Sequence, residues 1–213
     1  VGCDLAGVEL RMLAHYLARW DGGRYAEVLL HGDIHQENAN KIGVSRKLVK
    51  TISYAFLYGA GDQKLGMSYD KQLSPEKAKK KGKEIRKAYI DAIPGLEKLL
   101  EGVHKASEKG FVRGIDKRKI LVDSKHKSLN YLIQGSSAVL AKKWMLLTHE
   151  NLPPTARQLA FVHDELQFEC KKEDVEDLKF LLELSATQAG EYYKLRCPIA
   201  AESKSGSTWA DVH

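Results

Sequence analysis

Apolar residues recur at the helical period through most of this chain, and the alternation that marks strands is confined to a few short stretches. Val8, Met12, Leu13, Tyr16, Leu17 and Trp20 line one face of a helix expected over Val8–Trp20, which Asp21-Gly22-Gly23 ends. Shorter helical segments are expected over Arg24–Leu30 and His35–Ile42, around the turn His31-Gly32-Asp33. Ser45 is placed to cap a helix that begins at Arg46 and stops at Gly59-Ala60-Gly61. Ser74-Pro75-Glu76 opens another helix that runs to about Ala92. Pro94-Gly95 separates it from Leu96–Glu108, and longer helices are expected over Ser128–Glu150 and Lys172–Tyr193. Strand patterns fall at Cys3–Ala6, at Phe111–Arg113 and Ile120–Val122 around the basic turn Asp116-Lys117-Arg118-Lys119, and at Ile199–Glu202. Leu159–Val162 and Leu166–Phe168 form a further hairpin pattern around His163-Asp164-Glu165. Strands gather at the two ends and the middle is almost all helix, which predicts an α+β sheet domain interrupted by a helical insertion.

Composition narrows this picture only a little. With 213 residues the chain is one large domain or two small ones. No apolar run approaches the roughly 20 residues of a membrane span and no signal peptide opens the chain, so no membrane partner is expected. Cys3, Cys170 and Cys197 are odd in number and lack CxxC spacing, which favours free thiols over disulfides or zinc. A net charge of +6 favours an anionic partner. Much of it sits in Lys77, Lys79, Lys80, Lys81, Lys83, Arg86 and Lys87, either a solvated helix face or a contact to a phosphate backbone. Apolar patterning begins at once after Val1, as in a piece of a longer polypeptide.

Chemistry concentrates in three places. Arg46, Lys50, Tyr54 and Tyr58 follow one another at four-residue steps, so they share a helix face. Two cations followed by two aromatic rings can hold a polyphosphate at one end and a base or sugar at the other. The alternative is an amphipathic helix with Tyr54 and Tyr58 in the core. His163-Asp164-Glu165 would interrupt two apolar strands, so it belongs at a turn, and Asp4 gives a second carboxylate at a strand end. Paired carboxylates suit Mg²⁺. Two such ions about 3.5–4 Å apart clamp the attacking and leaving oxygens of a phosphoryl displacement. Spacing alone leaves open whether Asp4 and Asp164 meet.

Asp4-Leu5-Ala6-Gly7-Val8-Glu9-Leu10-Arg11 resembles the first catalytic motif of family A DNA polymerases. Arg46-x-x-x-Lys50-x-x-x-Tyr54-x-x-x-Tyr58-Gly59 is similar to their fingers-helix motif, and Val162-His163-Asp164-Glu165 to their third. His31-Gly32-Asp33-Ile34-His35, Phe56-Leu57-Tyr58-Gly59-Ala60-Gly61-Asp62, Leu129-Asn130-x-x-x-Gln134 and Trp209-Ala210-x-x-His213 resemble the short-tailed bacteriophage branch in particular.

The resemblance implies a right-hand palm over residues 1–20 and 129–213, interrupted by helical fingers over 21–128, with no thumb or exonuclease domain in this stretch. It implies a DNA-directed DNA polymerase of viral replication in the cytoplasm of an infected host, acting on primer–template DNA and dNTPs with two Mg²⁺ ions. Catalysis would fall to Asp4, Asp164 and Glu165, with Asp4, Asp164 and the Leu5 carbonyl as metal ligands. Glu9 would exclude a ribose 2′-hydroxyl. Arg46, Lys50 and His35 would hold the triphosphate, Tyr54 would pack on sugar and base, and Tyr58 would sit near the templating base. Arg11, Arg118, Asn130, Gln134 and His163 would contact DNA. Local alternatives are a Glu9–Arg11 pair, a structural His35, and a mutual hydrogen bond between Asn130 and Gln134. One departure is Asp116-Lys117-Arg118, where phage relatives usually have Asp-Gly-Arg. Without a thumb the chain alone should bind primer–template weakly. A half that works with a separately encoded N-terminal thumb and exonuclease polypeptide, a non-catalytic DNA-binding remnant and a single-subunit RNA polymerase are the other readings. Glu9 argues against the last.

Overall fold

Short apolar stretches that alternate with polar residues build one antiparallel sheet in this computed structural model, which describes residues 1–213. Its strands are β1 (Gly2–Leu5), β4 (Arg157–Val162), β5 (Glu165–Glu169) and β6 (Ala201–Lys204), in the order β4-β5-β1-β6. A separate two-stranded ribbon joins β2 (Phe111–Arg113) to β3 (Lys119–Leu121). The helices are α1 (Val8–Asp21), α2 (Arg24–His31), α3 (Ile34–Ile42), α4 (Arg46–Leu57), α5 (Asp62–Tyr69), α6 (Pro75–Ala92), α7 (Leu96–Ser107), α8 (Ser128–Glu150), α9 (Val175–Tyr192) and α10 (Trp209–Val212). None is long and apolar enough to cross a membrane.

The chain divides into two compact units. The first comprises 1–12, 115–117 and 134–213; the second comprises 13–114 and 118–133. The divisions fall inside α1 and α8, whereas the sequence reading placed them at the helix ends near 20 and 128. Helix continuity is the reason, since both helices carry side chains belonging to each unit.

In the first unit β1 takes an inner position although it is only four residues long. A side chain at Gly2 would have to displace its neighbours, since a Cβ would approach Gln167 Nε2 to 2.5 Å and Val212 Cγ2 to 2.8 Å. Helix α9 covers β1 and β6, burying Leu178, Leu182, Ala186 and Ala189. Trp144 of α8 is fully buried and its indole N–H donates to the Leu182 carbonyl at 2.8 Å, so α8 and α9 are locked by a polar as well as an apolar contact. The free thiols expected of Cys3, Cys170 and Cys197 are present as such.

The second unit is helical apart from the ribbon. Asp33, Ser45 and Ser74 each cap a helix by accepting from a backbone N–H, those of Gln36, Leu48 and Lys77. Phe56 and Tyr89 pack with ring centroids 4.9 Å apart in its core. Two helices were not anticipated. Helix α5 is only eight residues long and has glycine in its middle, and α10 is a single turn. The last strand lies at Ala201–Lys204 rather than at 199–202. Ile199 is buried, but its carbonyl accepts from Thr187 Oγ1 of α9 and enters no ladder.

Candidate active site

The register of the first unit's sheet decides what Asp4 meets. Asp4 pairs with Glu165 on β5 and with Glu202 on β6, so three acids lie in a row across neighbouring strands. Like charges opposed in a ladder are unfavourable. The β4–β5 turn adds a fourth. Val162 pairs with Glu165, which leaves His163 and Asp164 at the tip, and His163 takes a left-handed φ of 57°. The Leu5 N–H donates to the Asp164 carbonyl at 3.0 Å, which pins this tip to the end of β1. Two aspartates far apart in sequence are thereby held together. Asp4 keeps one side open to solvent, yet partial burial, and then the charges of Asp164 and Glu165, push its carboxyl up to about 6. Asp164 is raised as well, by burial and then by Glu9.

These residues fit a hard divalent cation. Burial and neighbouring charge disfavour ionisation of both carboxyls, and a cation placed between them would relieve it. No group of three His, Cys, Asp or Glu side chains is arranged to hold an ion. The donors on offer are therefore two carboxylates and nearby backbone carbonyls, the small protein share that suits Mg²⁺ bound together with water and phosphate oxygens.

Glu165 has partners that the sequence does not announce. The resemblance gives it a catalytic role; here it is buried and both of its oxygens are engaged. Gln167 Nε2 and Trp209 Nε1 donate to Oε1, the latter at 3.0 Å, and His213 Nδ1 lies 2.9 Å from Oε2. Burial pushes this carboxyl up, yet the hydrogen bonds from Gln167, Trp209 and His213 outweigh it and hold the pKa below its usual value. Glu165 thus fastens β5 to the C-terminal turn. Trp209 and His213 went without a role in the sequence reading. Their four-residue spacing, which puts both on one side of a helical turn, was the available signal. Glu202 was also missed, because only the register shows that it flanks Asp4.

Glu9 lies in the first turn of α1, where Gln134 Nε2 donates to its Oε1 at 3.5 Å. Arg11 spends two donors on backbone carbonyls, those of Ala6 and Pro198, each at 2.6 Å. Its guanidinium therefore braces the chain around β1. His163 is exposed.

In the second unit, α4 presents the face read from the sequence. Val49, Ile52, Ser53, Phe56 and Leu57 are buried, whereas Arg46 and Lys50 are exposed and Tyr54 is half-buried. Tyr58, at 52% exposure, is no core residue, so the alternative with both tyrosines inside fails. Arg46 Nε donates to Asp33 Oδ2 at 2.6 Å, and this bond is the main reason the Asp33 carboxyl lies below its usual range. His35 is buried, with its ring centroid 6.3 Å from that of Tyr54 and its Nδ1 without a hydrogen-bond partner. Burial, then the charge of Arg46, lowers its pKa, so the imidazole is neutral at pH 7.

Asn130 and Gln134 do not bond each other. Asn130 Nδ2 donates to the Leu57 carbonyl at 3.0 Å and so secures the end of α4. Beyond that end lies a cavity of about 390 Å³ lined by Phe56, Gly59, Arg86, His104, His126 and Asn130 among others. Arg118 is exposed on the ribbon turn, whose Gly114 N–H donates to the Arg118 carbonyl. Lys117 adopts φ 67°, the conformation that the glycine usual at this place would take without strain, so the turn survives the departure at a cost of roughly 1 kcal/mol.

The chain is similar to known proteins over nearly its whole length. The model of DNA polymerase family A matches residues 1–211. The DNA-directed DNA polymerases of Enterobacteria phage T3 and Escherichia phage T7 are each 32% identical over all of this chain, which spans 33% of their length. DNA polymerase I of Bacillus caldotenax is 30% identical over 98% of the chain, which covers 25% of it. A solved structure described as the POL domain of Pol1 from M. smegmatis, in complex with DNA primer-template and dNTP, shares the fold with a TM-score of 0.79 at 24% identity. That likeness covers 99% of this chain and 40% of that one. With nearly every residue inside the family match, this chain belongs to DNA polymerase family A.

Proposed function

We propose that the chain carries template-directed addition of deoxynucleotides to a primer 3′-hydroxyl in viral DNA replication. The observation that carries this reading is the Asp4–Asp164 pair, held together by register and by the Leu5–Asp164 backbone bond, with both carboxyls raised. Bound by Asp4, Asp164 and the Leu5 carbonyl, two Mg²⁺ ions would supply stabilisation of charge developing on the attacking and leaving oxygens. The primer oxygen attacks the α-phosphorus of the dNTP and pyrophosphate departs.

The remaining roles belong to side chains. Arg46 and Lys50 neutralise triphosphate charge, and the neutral His35 adds a hydrogen bond rather than a charge. Asp33 keeps the Arg46 guanidinium oriented until phosphate competes for it. Tyr54 packs on sugar and base, and Tyr58 lies by the templating base. Glu9, steadied by Gln134, fills the space a 2′-hydroxyl would need. Asn130, Arg118 and His163 are left for nucleic acid. Arg11, committed to Ala6 and Pro198, contributes by holding the backbone near β1.

Primer extension with Mg²⁺ and dNTPs tests the reading. Asp164→Ala should lower extension by about 10³-fold or more, and Glu9→Ala should raise ribonucleotide use by roughly 10²-fold. A chain with no extension at any concentration would overturn it as an independent enzyme. A second reading draws on the chain's spanning only 33% of the phage relatives' length: a half that works with a separately encoded thumb and exonuclease polypeptide. Extension that appears only when that polypeptide is added selects it.

A further inference from the structure

Helix α9 carries apolar residues on two sides. Leu178, Leu182, Ala186 and Ala189 are buried, on the side that meets β1 and β6. A second stripe, Phe180, Leu184, Gln188 and Tyr192, recurs at four-residue steps, so it shares one face. Phe180 is 68% exposed, Leu184 40% and Tyr192 61%, and Gln188 is exposed among them. Single apolar side chains at a surface are ordinary, but three large ones aligned on one helix are the kind of face another protein covers. The two ends of the stripe differ in charge. Glu176, one step before Phe180, is exposed, and its oxygens lie 3.3 and 3.4 Å from Lys179 Nζ, a loose pair in water. At the other end Lys143 of α8 places its Nζ 3.9 Å from the Tyr192 ring centroid.

We propose that this face pairs with the same face of a second copy of the chain, the two α9 helices running antiparallel about a two-fold axis. Centred between Leu184 and Gln188, such a pair sets Phe180 against Tyr192 of the second copy and Leu184 against its Gln188. Glu176 then meets the cation that Lys143 holds at the Tyr192 end. The acidic and basic ends of one stripe are thus complementary to each other, which is what a self-pairing surface requires. One helix face buries less than the roughly 1,200 Å² of a stable interface. The dimer is therefore weak, with a Kd of about 10 to 100 µM. None of these residues belongs to the candidate active site, so the proposal can fail while the polymerase reading stands, and the reverse.

Sedimentation equilibrium of the whole chain, from about 5 to 500 µM, tests it and should show a reversible dimer. Phe180→Glu should weaken dimerisation by about 30-fold or more, because it puts a carboxylate where an aromatic anchor packs. Glu176→Lys and Lys143→Glu should each weaken it about 5-fold. Glu176→Lys and Lys143→Glu combined should restore most of the loss, a rescue that a damaged fold cannot imitate. A chain that is monomeric throughout, a dimer indifferent to Phe180→Glu, or a double reversal no better than the single ones overturns the proposal. A monomeric chain that binds a thumb and exonuclease polypeptide, and loses it in Phe180→Glu, also overturns it and assigns the face to the rest of a polymerase.

Discussion

Asp4 sits between Glu165 and Glu202 in the sheet and beside Asp164 at the turn, and its carboxyl holds a proton up to about pH 6. Without metal, the folded chain keeps that proton between about pH 4 and 6 while the unfolded chain has lost it. Stability therefore falls as pH rises through this window and stays low above it. Asp4→Asn should remove the fall. In EDTA at pH 7.5 the variant should be more stable than the parent by about 1 kcal/mol, after allowance for the solvent-open side of the carboxylate, while losing primer extension. Urea titrations of both proteins at pH 4, 5, 6 and 7.5 check this, and parallel pH profiles would refute it. At this scale the sequence motif pointed to Asp4 and Asp164 as candidates, but it did not reveal the hold on Glu165. That depends on Trp209 and His213 returning to β5 from the far end of the chain, which no local pattern encodes.

Helix pairing follows a different logic, with backbone approach as the deciding quantity. Gly66 of α5 and Gly82 of α6 form a crossing so close that a Cβ on Gly66 would lie 1.8 Å from the Ala78 carbonyl oxygen. A Cβ on Gly82 would lie 1.7 Å from that of Asp62. Arg86 reinforces the join, with Nε to Asp62 Oδ1 at 2.7 Å and Nη2 to the Ala60 carbonyl at 2.6 Å. Glycine to alanine within a helix ordinarily stabilises by about 1 kcal/mol. Here the sign should reverse. Gly66→Ala or Gly82→Ala must separate two backbones and should cost about 3 kcal/mol or more in urea unfolding, whereas Gly102→Ala, with nothing within 4 Å, should be neutral or stabilising. Equal effects at all three positions would show that the crossing is not tight. The same contact explains why α5 was illegible beforehand. A glycine in the middle of eight residues reads as a breaker, and only the partner helix turns it into a packing surface. Helices α4 and α6, with caps of their own, and α8, with its long period, were readable without a partner.

For the molecule as a whole, the two units should answer different ligands. Carboxylates belong to the first unit and the cationic, aromatic face to the second. Hydrogen exchange can resolve this. Mg²⁺ at ten times its Kd should stabilise what it binds by RT ln 11, about 1.4 kcal/mol, slowing the exchange of amides released by opening around β1 and the β4–β5 turn roughly tenfold. The Leu5 amide, bonded to the Asp164 carbonyl, is the most direct reporter. Inorganic triphosphate without metal should instead protect α4 and the start of α3, because Arg46, Lys50 and His35 lie there. Asp4→Asn should abolish the first response and spare the second. If Mg²⁺ slowed exchange in α4 and left β1 unchanged, the assignment of the ions to Asp4 and Asp164 would be wrong. Equal slowing everywhere would mean that the chain opens as one cooperative body, and the Asp4→Asn control would then decide where the ion sits. The order of strands, helices and motifs along the sequence was sufficient to predict an α+β chain with a helical insertion. What it left out was the division inside α1 and α8, because periodicity reports which side of a helix is apolar and not which neighbour covers it.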